Sequence, residues 1–268
     1  MKINFVGAGS GAVDLITVRG KNLIEQADVI VYAGSLVNPE LLTYAKQGCD
    51  IYNSATMTLE EVMDVMITAY KDGKSVVRLH TGDPSVYGAI REQMDILDEQ
   101  GIEYEVCPGV SACFGAAASL GLEYTLPGIS QTLIVTRTEG RTPVPKLEGI
   151  VNLAKHQASM AIYLSAGLLE QLQSELLAGG YEKDVPAAIV YKATWPEEKI
   201  IYCTVGNLAE AGNKHDIRST ALILVGEAVG TTVGYKQNHG ETVGYDRSKL
   251  YSPDFTTGFR KGTDQEDD

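Results

Sequence analysis

Three glycine turns hold the residues of this 268-residue chain with the most chemistry to offer. They are Gly7-Ala8-Gly9-Ser10-Gly11-Ala12, Thr81-Gly82-Asp83-Pro84-Ser85-Val86-Tyr87-Gly88 and Pro108-Gly109-Val110-Ser111-Ala112. Each follows a short apolar run that reads as a strand. Glycine removes side-chain bulk where a second backbone or a ligand must come close, so these turns present peptide N–H and C=O groups. A phosphate cradle would typically bring a lysine, and neither the second nor the third turn carries one. Asp83 is the carboxylate of the second turn. The chain has no Ser-His-Asp constellation, no paired carboxylates and no metal-ligand spacing, and no general base can be named. Such residues suit a reaction that depends on positioning. They equally suit a non-catalytic ligand-binding module.

Gly7, Gly9 and Ala12 satisfy the dinucleotide fingerprint G-x-G-x-x-G/A. That fingerprint expects a ribose-binding acidic residue at the end of the next strand. Here Asp28 precedes that strand, which ends in Ala33-Gly34. A nicotinamide-dependent oxidoreductase is therefore disfavoured.

The elements that must carry the turns follow from apolar periodicity. In the first half, strands are expected over residues 3–6, 29–32, 76–79 and 104–107. Asp83 before Pro84 reads as a helix N-cap with proline at the first helical position. Tyr87, Ile90, Met94 and Leu97 then follow at helical spacing, and Gly101 is the stop. Thr58 and Glu61 form a capping box before the helical face Leu59, Val62, Met63, Met66, Ile67 and Tyr70. Strands alternating with helices predict a mainly parallel sheet in an α/β domain. Gly121, Pro127 and Gly128 mark a connection. Beyond it, strands are expected over 132–136, 160–164, 187–191, 199–203 and 221–225. The short link Ala193-Thr194-Trp195-Pro196-Glu197-Glu198 suits a hairpin, which predicts a mixed sheet in a second α/β domain. The expected domains are 1–122 and 123–230, with a tail over 231–268 whose last residues are disordered.

Net charge of −13 argues against nucleic acid, because phosphate contacts need a basic face. No apolar run is long enough to span a bilayer, and the amino terminus has no signal-peptide pattern, so a cytoplasmic protein is expected. Cys49, Cys107, Cys113 and Cys203 form no Cys-x-x-Cys pair and read as free thiols. Against this acidic background the loop Arg137-Thr138-Glu139-Gly140-Arg141-Thr142-Pro143-Val144-Pro145-Lys146 gathers three cations. It is either a solvated loop or a place to hold carboxylates, which guanidinium groups grip bidentately.

The Gly-Asp-Pro-x-x-Tyr-Gly string, the loop from Val6 to Gly20 and Pro108-Gly109-Val110-Ser111-Ala112 together resemble the tetrapyrrole methylases of corrin and sirohaem synthesis. Tyr32-Ala33-Gly34-Ser35-Leu36-Val37, Thr136-Arg137 with Gly140-Arg141-Thr142-Pro143, and Tyr191-Lys192-Ala193-Thr194-Trp195-Pro196 match corrin-ring members of that family in order and spacing. The similarity covers residues 1 to about 230, and Ser248 to Phe255 with Gly258-Phe259-Arg260 extends it. The resemblance implies a two-domain fold with the cofactor in a cleft between domains, and methyl transfer from S-adenosylmethionine, leaving S-adenosylhomocysteine. It further implies a polycarboxylate tetrapyrrole as substrate and a homodimer. Cofactor contacts would fall on Thr81, Gly82, Asp83, Val86, Ser111 and Ala112, and from the second domain on Leu164 and Ala193. If the basic loop holds carboxylates and is not merely solvated, Arg137, Arg141 and Lys146 would be the residues that hold those of the substrate. The family usually has proline where this chain has Ser10, a change expected to loosen the loop, and many relatives have methionine at Leu164, a volume-conserving swap. Within the family, a methylase of another ring position is the nearest alternative.

Overall fold

The computed structural model describes residues 2–34 and 36–263, which fall into two compact units. One comprises Met1–Ser119 with Tyr191–Lys199, and the other Leu120–Val190 with Ile200–Asp268. The segment Tyr191–Lys199, expected as a hairpin link of the second domain, clusters with the first unit.

In chain order the first unit carries β1 (Ile3–Gly7), α1 (Val18–Gln26), β2 (Val29–Tyr32), β3 (Asp50–Asn53), α2 (Leu59–Lys71), β4 (Val76–His80), α3 (Ile90–Glu99), β5 (Tyr104–Cys107) and α4 (Ala112–Leu120). Its sheet has the order β3-β2-β4-β1-β5, with every pair parallel. Side chains alternate between the two faces of a strand, and both faces here are covered. Ile3, Phe5, Val29 and Val31 meet Met63 and Met66 of α2 on one side. Val6, Ile30, Val77 and Leu79 meet Ile24 of α1 on the other. This explains why the strands read as continuous apolar runs. The capping box forms as expected, with Thr58 accepting from the Glu61 N–H and Glu61 accepting from the Thr58 N–H.

The expected start of α3 is corrected. The helix begins at Ile90, and Asp83 does not cap it. The Asp83 carboxylate is committed to Ser85 and to the following turn at Gly109, which closes a tight local turn. Tyr87 and Ala89 then stand at φ of 56° and 50°, in the left-handed region, so no helix can run through them. The end of α3 is as expected, with Gly101 at φ 66° just beyond it.

The second unit carries β6 (Leu133–Arg137), α5 (Ile150–Ala154), β7 (Ser159–Tyr163), α6 (Leu169–Ala178), β8 (Pro186–Tyr191), β9 (Lys199–Thr204), α7 (Leu208–Lys214), β10 (Ala221–Val225), α8 (Glu227–Gly230) and α9 (Val233–His239). Its sheet order is β6-β7-β10-β8-β9, with β6–β7 parallel and β7–β10 antiparallel, a mixed sheet. Leu164, expected inside a strand, lies just past β7 with φ 53°. Beyond Thr231 the chain packs within this unit: Tyr235 is buried, the Val243 N–H donates to Gly230 O, and the Asp246 N–H donates to Pro127 O. The expected disorder of the last residues concerns 264–268, which lie outside the described residues.

Candidate functional site

Because the first sheet is wholly parallel, the turns after β1, β4 and β5 emerge at one edge, where open α/β sheets bind ligands. There the three backbones pack against one another. A Cβ on Gly7 would stand 2.6 Å from the Cα and N of Gly109 and from the carbonyl oxygen of Gly82. Gly9 and Gly82 exchange hydrogen bonds, Gly82 N–H to Gly9 O at 2.9 Å and Gly9 N–H to Gly82 O at 3.2 Å. Asp83 staples the second turn to the third. Its Oδ1 accepts from the Ser85 N–H at 2.8 Å and the Ser85 hydroxyl at 2.5 Å, while Oδ2 accepts from the Gly109 N–H at 2.9 Å. Burial works to raise its pKa, but the bonds from Ser85 and Gly109 outweigh it and hold the carboxyl below 3.8.

The first unit thus brings together Thr81, Gly82, Asp83, Val86, Ser111 and Ala112. Thr81 donates its hydroxyl to Leu36 O at 3.1 Å. Gly82, at φ 58°, has only the Ser111–Ala112 backbone and the Ser111 hydroxyl near the position of a Cβ, none closer than 3.5 Å. Its N–H and C=O are both committed to Gly9, so what Gly82 leaves open is the space a side chain would occupy. His80, just before this turn, is 4% exposed, and its Nε2 has no hydrogen-bond partner among the described residues. Burial, aided by the Arg78 charge, pushes its pKa down to about 3, so the ring is neutral at neutral pH.

The segment Tyr191–Lys199 locks onto the opening glycine loop, which sequence reasoning missed. Thr194 Oγ1 accepts from the Ala12 N–H and shares a hydrogen bond with the Ser10 hydroxyl, both at 3.0 Å. Ser10 is therefore tethered by a bond that proline could not make. That bond restrains the loop at the position where loss of proline was expected to loosen it. Glu198 Oε2 accepts from the Thr194 N–H at 2.6 Å and from the Ser119 hydroxyl at 2.5 Å. Lys192 and Thr194 both have positive φ, at 48° and 67°, and Ala193 between them is buried. A Cβ on Gly11 would collide with the Trp195 indole. No signal in the local sequence announces this lock, since its partners lie 182 and 184 positions apart.

In the second unit, Leu164 is 64% exposed, an apolar side chain presented at the end of β7. The cations expected to hold carboxylates separate here. Arg137 donates to Thr138 O, Thr142 O and Pro143 O, and so closes its own loop. Arg141 and Lys146 make no side-chain bond among the described residues.

The sequence of residues 2–209 matches the model of the Tetrapyrrole (Corrin/Porphyrin) Methylases. This chain belongs to that family. As a tetrapyrrole methylase it is 51% identical to a cobalt-precorrin-4 C(11)-methyltransferase of Methanocaldococcus jannaschii, over 97% of this chain and 96% of that relative. It is 46% identical to the protein of that name from Priestia megaterium, over 99% of this chain and all of the relative. Among solved structures it resembles the X-ray structure of a cobalamin biosynthetic enzyme, cobalt precorrin-4 methyltransferase. That likeness has a TM-score of 0.83 at 46% identity, covering 85% of this chain and 95% of the other. A uroporphyrin-III C-methyl transferase from Thermus thermophilus, solved with S-adenosyl homocysteine, follows at TM-score 0.71 and 26% identity, covering 85% of this chain and 93% of that one.

Proposed function

We propose that this tetrapyrrole methylase transfers a methyl group from S-adenosylmethionine to C11 of cobalt-precorrin-4 or precorrin-4 in cobalamin synthesis, as a cytoplasmic homodimer. The carrying observation is the 51% identity, across nearly the whole of both chains, with a relative named for that reaction. The 46% match to a second protein of the same name favours the cobalt-bearing ring.

The residues at the sheet edge fit the cofactor. Gly82 leaves open the space a side chain would fill, the Asp83 staple fixes the second and third turns against each other, and Val86 adds a half-buried apolar contact. In this reading Thr81, Gly82, Asp83, Val86, Ser111, Ala112 and Ala193 of the first unit contact the cofactor, as does Leu164 of the second. Bound there, S-adenosylmethionine would supply an activated methyl: a nucleophilic ring carbon would bond to it in line as the C–S bond breaks and the sulfur leaves as the thioether of S-adenosylhomocysteine. The protein's share is placement. Holding carbon and methyl at near-attack distance can contribute up to roughly 7–11 kcal/mol. Exclusion of water and fixed peptide dipoles add to this as the cation loses its charge. Neutral His80 brings no charge to that environment. The test is incubation of the protein with methyl-labelled S-adenosylmethionine and each ring under anaerobic conditions. Label in the cobalt ring, the metal-free ring or both is expected; label in neither contradicts the reading.

The Glu198 lock gives a second expected result. Glu198→Ala leaves the Thr194 N–H without its acceptor, at a cost of about 1–3 kcal/mol in stability, while the Ser119 hydroxyl can still donate to Gly115 O at 3.2 Å. With Ala193 no longer held, the KM for S-adenosylmethionine should rise while the KM for the ring stays near wild type. Denaturation and steady-state kinetics check both.

A further inference from the structure

The second unit holds a cavity of about 330 Å³ lined by Arg137, Thr138, Arg141, Leu164, Leu168 and Arg218. Among the described residues no Asp or Glu lines it, in a chain of net charge −13. The cations are not equivalent. Arg137 spends its guanidinium on three loop carbonyls, which sets the course of the loop that carries Arg141. Arg141 makes no hydrogen bond or ion pair among the described residues. Arg218 donates Nη1 to Asn213 Oδ1 at 2.6 Å, and its Nε lies 3.4 Å from Asp216. Its Nη2 has no partner among the described residues. The Arg218 side chain is 62% exposed and that of Asp216 90%, so this pair binds weakly and leaves Arg218 available.

Two further observations make this a built cavity. Thr138 is 2% exposed, and its hydroxyl is buried with no hydrogen-bond partner among the described residues. A buried polar group left unpaired is costly, and a ligand oxygen would satisfy it. Small residues also keep the space open: a Cβ on Gly140 would press on Leu168 at 3.3 Å, and one on Gly167 on the Arg218 carbonyl at 3.3 Å.

We infer that this cavity binds a carboxylate side arm of the substrate ring, with Arg141 and Arg218 as the gripping cations and Thr138 as a hydroxyl donor. Arg137 then positions the loop, and Lys146, which does not line the cavity, contributes little. The inference rests on the tetrapyrrole reading above and adds Arg218 and Thr138 to it. Two guanidinium forks give a planar, bidentate hold on carboxylate, and Leu164 and Leu168 supply apolar surface for the arm's methylenes.

The test uses uroporphyrin, a ring with a carboxylate on every side arm, and reads its binding to the full chain by porphyrin fluorescence. Arg218→Met and Arg141→Met should each weaken binding by about tenfold. Each should also reduce its sensitivity to salt and leave the affinity for S-adenosylhomocysteine unchanged. Lys146→Met should change little. Both arginines carry exposed side chains, and the thermal midpoint verifies folding; if one variant fails to fold, the other decides. Unchanged affinity in the folded variants, or no binding by the wild type, would overturn the inference. The assay needs no methyl transfer. A wild type that grips uroporphyrin through both arginines but methylates neither precorrin-4 ring would sink the proposed reaction and keep the cavity.

Discussion

Gly7→Ala is expected to cost about 3 kcal/mol or more in stability and to abolish tight binding of S-adenosylhomocysteine. The new Cβ would lie 2.6 Å from the Gly109 Cα and N and the Gly82 carbonyl oxygen. All three are backbone atoms at the ends of separate strands, so no side chain can turn away to relieve the clash. The strand ends themselves must separate, and with them the second and third turns. Gly73→Ala is the control. Gly73 has φ 74° with nothing within 4 Å of its would-be Cβ, so alanine there carries only the left-handed penalty of about 1–2 kcal/mol. Ligand affinity should be unaffected. Chemical denaturation and calorimetric titration with S-adenosylhomocysteine separate the two cases.

Asp83→Asn should be nearly as damaging as Asp83→Ala. The carboxylate serves the Ser85 N–H and hydroxyl on one oxygen and the Gly109 N–H on the other. Asparagine has one acceptor oxygen, so an amide NH2 must face one of these donors. Loss of a charge-assisted bond and a donor facing a donor should cost about 1.5–3 kcal/mol and lower the affinity for S-adenosylhomocysteine. The pH dependence carries a sign. The carboxyl is held below 3.8 in the folded chain, so the unfolded state binds more protons as pH falls toward that range. The stabilisation is fully present above the unfolded pKa and is lost as pH drops through the lower folded value. The stability gap between wild type and Asp83→Asn should therefore stay constant from neutral pH to about 5 and shrink below 3.8. Denaturant titrations across pH read this directly.

Much of the scaffold was legible because burial on both faces of a parallel sheet writes largely apolar runs, as in Val29 to Tyr32 and, broken only by the buried Arg78, in Val76 to Leu79. β3 escaped for the opposite reason. Its residues Asp50-Ile51-Tyr52-Asn53 are exposed and lie at the sheet edge, with only a pair of apolar side chains. At Asp83-Pro84 the local signal was real but had two readings. The same carboxylate that could cap a helix instead closed a turn onto Gly109, and only the distant partner decided between them. The glycine turns could be placed at strand ends, whereas the fit of Gly7 against Gly82 and Gly109 depends on the order β4-β1-β5, which no local pattern encodes. The roles of Thr194, Glu198 and Arg218 were overlooked for a related reason: Thr194 reaches Ser10, Glu198 reaches Ser119, and Arg218 joins a cavity with Arg141, all distant in the chain.

The most direct test of the central claim is the position of the transferred methyl. The protein should be incubated anaerobically with cobalt-precorrin-4 and S-adenosylmethionine bearing an isotopically labelled methyl carbon, and the product examined by mass spectrometry and NMR. The expected result is one added methyl whose labelled resonance correlates with C11. A methyl on any other ring carbon would keep the family and contradict the assigned reaction.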